Sequence, residues 1–84
     1  MLFMGRLEVF QKFNLKVGVV AAVRVKEGTL KPGSVVDVDG KKATVKSLQV
    51  DRNDVPEGTE GMEVGALLEG VTADDVQLKE YSFE

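Results

Sequence analysis

The sequence predicts an all-β fold, a closed antiparallel β-barrel of about six short strands, on three observations. Apolar residues recur at every second position in several short segments, the period of a half-buried strand. Turn signals built on Gly, Pro and Asp separate these segments at short intervals. Between the turns nothing is long enough, or periodic at 3.6 residues, to make a substantial helix. Such strands pack as a sandwich or a barrel, and the barrel is preferred because closure removes exposed edges.

The first strand is expected near residues 6–13, where Leu7, Val9 and Phe13 alternate with Glu8 and Lys12. The second runs from Val17 to Val25. Its Val17, Val19, Ala21, Val23 and Val25 make one apolar face, while Gly18, Val20, Ala22 and Arg24 make a face that turns polar towards its end. Glu27 to Gly33 is a connection with Pro32-Gly33 at the centre of a turn. Val36 and Val38 then alternate with Asp37 and Asp39, and Asp39-Gly40 readily supplies the positive φ angles of a two-residue hairpin. The return strand covers about Ala43 to Val50.

Asp51 to Glu60 reads as a polar loop, in which Pro56 denies a ladder hydrogen bond and biases Val55 towards extended geometry. Met62, Val64, Ala66 and Leu68 mark a further strand among Gly61, Gly65 and Gly70. Thr72-Ala73-Asp74-Asp75 reads as one helical turn with Thr72 as N-cap and acids near the positive end of its dipole. The last strand is expected at about Gln77 to Phe83.

At 84 residues, 43 % hydrophobic and 30 % charged, the composition is that of a single globular domain over residues 1–84, with 1–5 as an N-terminal extension. Cysteine and histidine are both absent. No disulfide, thiolate or imidazole metal site, or Ser-His or Cys-His nucleophile is available, so no cofactor, metal or catalytic residue is expected. The net charge of −3 is unevenly placed: residues 1–42 carry eight Lys/Arg against four Asp/Glu, and residues 43–84 three against ten. Overall acidity weakens non-specific nucleic-acid binding but leaves room for a basic patch in the first half. No apolar run approaches the roughly 20 residues of a membrane span, and the expected setting is cytoplasmic.

Gly28-Thr29-Leu30-Lys31-Pro32-Gly33 has the glycine spacing of a phosphate-binding loop, but Ser34 stands where lysine is needed and a strand follows instead of a helix. GTP or ATP binding through it is not expected. Asp37-Val38-Asp39-Gly40 and Asp51-Arg52-Asn53-Asp54 resemble fragments of calcium loops but lack the terminal glutamate or the glycine. Adjacent Asp74 and Asp75 suit capping better than acid–base work. Arg24, Lys26, Lys31, Lys41, Lys42 and Lys46, with Phe10, Phe13, Tyr81 and Phe83, make a candidate basic surface with stacking rings for single-stranded RNA.

GVVAAVRVKEGTLKPGSVVDV (Gly18 to Val38), VKSLQV (Val45 to Val50) and EGMEVGALLEGVTADDVQ (Glu60 to Gln77) resemble, in order and spacing, the second domain of translational GTPases. That group includes elongation factor Tu, the selenocysteine-specific elongation factor and bacterial initiation factor two. The resemblance spans about residues 7–80 and implies a closed six-stranded antiparallel barrel, without the GTPase domain beside which it normally sits. In elongation factor Tu this barrel contributes to the pocket for the aminoacylated end of tRNA, and in many members it contacts the ribosome.

Several positions depart from the family pattern. Gly18 is kept, but Lys16 stands at another glycine, Val17 at an arginine and Val23 at a glycine within the valine strand. Gln49 replaces the glutamate that packs by the terminal adenosine, Arg52 matches a basic pocket residue, and Leu78-Lys79 replaces a closing Arg-Gly pair. The resemblance therefore implies a non-catalytic barrel binding a translation component, with tRNA or ribosomal RNA as the expected ligand and Lys16, Gly18, Gln49 and Arg52 as the expected contacts. The alternative is a protein-docking module that binds a translation-related protein. No DNA or membrane partner is expected.

Overall fold

A computed structural model describes residues 5–16 and 18–84. Residues 1–4 of the expected extension 1–5, and the expected strand residue Val17, lie outside the described residues, whereas Gly5 belongs to the first strand and pairs with Phe83. The strands are β1 (Gly5–Leu15), β2 (Gly18–Glu27), β3 (Val35–Val38), β4 (Lys41–Val50), β5 (Asn53–Asp54), β6 (Glu63–Glu69) and β7 (Glu80–Phe83). They run in the order β3-β7-β1-β2-β6-β4, and β4 pairs back onto β3, which closes a six-stranded antiparallel barrel. Strand β5 is a short flap on the end of β4.

Alternation puts Val19, Ala21, Val23 and Val25 inside from β2, with Leu7 and Val9 from β1, Val64, Ala66 and Leu68 from β6, and Phe83 from β7. Among the described residues no polar or charged side chain is buried, so this modest core rests on apolar burial. Leu30, in the connection after β2, is fully buried in the core, and its backbone exchanges two hydrogen bonds with Gly58 at 2.7 and 2.8 Å. Lys31-Pro32-Gly33-Ser34 forms the expected turn, closed by Ser34 N–H to Lys31 O at 2.9 Å.

Three β-bulges let so short a sheet curl shut. Each adds one residue to one strand, bends it and increases its twist. The ladders step past Lys26 in β2, Phe10 in β1 and Lys46 in β4. The bulge at Phe10 corrects the expectation for β1. Val9 opposes Val23, but Gln11 opposes Ala22, so side chains after the bulge change faces. Phe13 was expected in line with Leu7 and Val9, yet it points outward and is 48 % exposed. Lys12 takes the inward position opposite Ala21. There its Nζ donates to Ala73 O and Val76 O, both at 2.6 Å, and holds down the loop between β6 and β7.

That loop departs from expectation at two points. Thr72–Asp75 is a hydrogen-bonded turn rather than a helical turn capped by Thr72. Asp75 N–H reaches Thr72 O at 3.1 Å, while the Thr72 N–H and hydroxyl both donate to Asp75 Oδ2 at 2.9 and 3.1 Å. The acid therefore serves as the acceptor. Strand β7 starts at Glu80 rather than Gln77, because Gln77 N–H is taken by the Tyr81 hydroxyl at 2.7 Å and Lys79 N–H bonds Gln77 O.

Replacing Lys12 by Met keeps the aliphatic stem and removes both charge-assisted bonds. Lys12→Met is expected to lower the unfolding free energy by about 2 kcal/mol, read from the urea midpoint. Asp75 also accepts from Lys41 Nζ at 2.8 Å. That bond, followed by the Thr72 backbone bond, lowers its carboxyl from 3.8 to about 2. Between these values the unfolded chain binds the proton and the folded chain does not, so this contribution is present above pH 3.8 and fades as pH falls towards 2. In Asp75→Asn the acid-induced loss of stability across that window should be shallower than in the parent, as measured by urea denaturation at several pH values.

Candidate functional site

Residues directly opposite one another in a sheet share a face, so the pairing register defines the outer surface of β1, β2, β6 and β4. One outward row reads Gln11, Ala22, Gly65, Gln49 and, on β5, Asp54. The next reads Phe13, Val20, Leu67 and Ser47. Ala22 and Gly65 are small, so the first row is low while Val20 and Leu67 stand up beside it. The resulting hollow is lined by Leu15, Val20, Ser47, Gln49, Gly65 and Leu67 and holds about 110 Å³. It is mostly apolar with one amide at its rim. Its size fits one ring system and falls well short of the roughly 300 Å³ that a drug-sized ligand needs.

The candidate residues divide by role. Gln49 lines the hollow, and its Nε2 donates to Asp54 Oδ1 at 3.1 Å. Lys16 follows Leu15 in the β1–β2 turn and is exposed. Gly18 serves the backbone: at φ 150° a Cβ there would lie 2.6 Å from Leu68 O, so no side chain fits without moving β6. Arg52 lies in the turn between β4 and β5, three residues beyond Gln49. This corrects the reading of Asp51–Glu60 as a plain loop. Asp51 at φ 52° and Arg52 at φ 68° form a two-residue hairpin turn, the same arrangement as Asp39 at φ 52° and Gly40 at φ 97°. Here a positive φ is imposed on an arginine, a conformation that costs an L-residue about 1–2 kcal/mol.

Most of the candidate basic residues sit on solvated strand faces, paired with acids. Arg24 bonds Glu63, which holds its guanidinium above the usual value by hydrogen bond first and charge second. Lys26 pairs with Glu8 at 3.7 Å, Lys41 with Asp75 at 2.8 Å, Lys42 with Asp37 at 3.9 Å and Lys46 with Glu69 at 3.8 Å. Arg6 and Lys79 have carboxylate partners too, and Lys12 is spent on carbonyls. The side-chain charges of Lys16, Lys31 and Arg52 are left without a hydrogen bond or ion pair among the described residues. Of the four candidate stacking rings, Tyr81 and Phe83 are core, while Phe10 and Phe13 are 45 % and 48 % exposed.

A second hollow, about 190 Å³, lies where β3 and β7 diverge below the Val36–Phe83 pair. It is lined by Asp37, Asp39, Glu80, Tyr81 and Ser82. Its three acids already face Lys42, Lys79 and Arg6, so its charge is largely satisfied from within. The smaller hollow has two of the free cations, Lys16 and Arg52, on turns at the ends of its lining strands and is the better candidate. Residues 18–78 match the family model described as elongation factor Tu domain 2. The matched span includes Gly18, Gln49 and Arg52, whereas Lys16, Leu15 and Phe13 precede it.

Arg52→Gly relieves the strained turn. It is expected to raise stability by about 0.5–1 kcal/mol, the relief being partly offset by glycine's greater freedom in the unfolded chain. Thermal or urea unfolding of the variant checks this.

Proposed function

Because the chain belongs to the elongation factor Tu domain 2 family, a β-barrel domain of translation factors, we propose that it is a non-catalytic recognition module that binds single-stranded RNA, tRNA above all, in the cytoplasm. One observation carries this reading: the outward rows of β1, β2, β6 and β4 gather a ring-sized apolar hollow, the Gln49 amide and exposed Phe13 on one face. Lys16 and Arg52, on the turns at the ends of the lining strands, supply charge for phosphates.

Recognition is by a preformed surface. A base enters the hollow over Gly65 and against Val20 and Leu67, Phe13 offers a ring face to a neighbouring base, and Gln49 hydrogen-bonds at the rim. No covalent or redox step is involved. With few uncommitted cations and a net charge of −3, non-specific attraction is weak, so affinity has to come from the hollow and its rim.

A second reading, docking of a translation-related protein, is favoured by the many cations already neutralised within the chain and by exposed Phe10, Phe13 and Leu15. Amide spectra separate the two. Titration with tRNA is expected to give saturable shifts at Lys16, Gln49 and Arg52 that weaken only modestly as salt rises, since two cations meet phosphates, and Phe13→Ala should cost about 1–3 kcal/mol of binding. Spectra unmoved by tRNA at low salt would replace the RNA reading with docking.

A further inference from the structure

Strand β1 loses a neighbour halfway along. Gly5 to Glu8 pair with β7, and Val9 N–H still reaches Lys79 O. From Gln11 to Leu15, β1 pairs with β2 on one side and with no described strand on the other. Val25 gives both its backbone groups to Gly61 and Met62 on the β6 side. Alternation therefore turns those of Val20 and Ala22 towards β1, where they meet Phe13 and Gln11. The N–H and C=O of Lys12 and Asn14 point the other way, along the open edge, and no described group bonds them. The exposed large apolar residues Phe10, Phe13, Leu15 and Leu78 all lie on this edge or beside it, Leu78 next to Lys79. An open edge carrying apolar side chains is a template for another strand.

Two lysines restrict which strand fits. If the edge meets its own copy antiparallel, residues with outward backbone groups face one another, so the pairing centres on Lys12, Phe13 or Asn14. Centred on Lys12, that lysine opposes itself; centred on Asn14, Lys12 opposes Lys16. Like charges directly opposite one another destabilise a sheet. Centred on Phe13, no lysine opposes a lysine: Lys12 faces Asn14, Gln11 faces Leu15, and the two Phe13 rings meet across the axis. Lys16, whose ammonium has no partner among the described residues, comes beside the Phe10 ring of the second copy.

We infer that two copies of this chain pair antiparallel through the open edge of β1, centred on Phe13, into one sheet continuous across both barrels. The charges permit this register, and in it the outward groups of Lys12 and Asn14 bond each other on both copies. The copies join edge to edge, so the hollow stays open and the inference stands apart from the RNA reading. The contact is short, below the roughly 1,000 Å² of a stable interface, so association is expected at about 0.1 mM chain.

Sedimentation equilibrium of the full chain tests this. The apparent mass should climb from 9.1 kDa towards twice that value as concentration rises. Phe13→Lys and Phe13→Glu, at an exposed position, set like charges against each other at the axis, and each alone should stay monomeric. An equal mixture of the two should dimerise again. Asn14→Pro removes an N–H at a place an edge strand tolerates, and should weaken association by about tenfold. A mass of 9.1 kDa at every concentration up to about 1 mM, a dimer that survives Phe13→Lys, or a mixture that stays monomeric overturns the inference.

Discussion

A single extra residue in β1 decides what this barrel shows to solvent. With Phe10 passed over by the ladder, Val9 opposes Val23 and Gln11 opposes Ala22. Every side chain beyond the bulge therefore lies on the face opposite to the one simple alternation gives it. Two consequences follow from the same backbone step. Lys12 turns inward and its ammonium clamps the β6–β7 loop through the Ala73 and Val76 carbonyls, which an apolar side chain could not do. Phe13 and Leu15 turn outward, where they join Val20 and Leu67 beside the hollow. The clamp on the β6–β7 loop and the candidate site thus share one cause.

Electrostatics narrows the site further. Exposed ion pairs add little stability individually, but here they determine which cations remain free to act elsewhere. Cross-strand acids occupy Arg24, Lys26 and Lys46 on the outer face, and Lys16 and Arg52 stay open on turns. A chain of net charge −3 thereby keeps positive charge at specific places while avoiding a sticky basic face. The strained Asp51–Arg52 turn fits this picture: a glycine would suit the backbone better and would carry no cation.

Much of the fold was legible in the sequence because period-two patterning is a local signal. The inward set Val19, Ala21, Val23 and Val25, the Asp39-Gly40 hairpin and the Pro32-Gly33 turn all stand where alternation and turn chemistry put them. The bulge was not legible, since no glycine or proline marks Phe10, and its effect is a change of phase seen only through pairing with β2. The second hairpin turn was hidden for a related reason: Asp51-Arg52 lacks the glycine that announces such turns. Pairing of Arg24 with Glu63, 39 residues away, needs the register of β2 against β6, so the basic surface looked freer than it is. Gln49 and Arg52 were reachable through family resemblance. Alternation set Val20, Gly65 and Leu67 opposite the inward residues of their strands, but that they adjoin Gln49 was not legible, because it needs the register of β2 and β4 against β6.

The β1–β2 register in solution bears most directly on this account. Cross-strand nuclear Overhauser contacts between the two strands are predicted to set Val9 against Val23 and then Lys12 against Ala21 and Phe13 against Val20. An unbroken ladder, with Phe10 against Ala22 and Phe13 against Val19, would turn Phe13 inward and Lys12 outward, and would contradict both the clamp and the site.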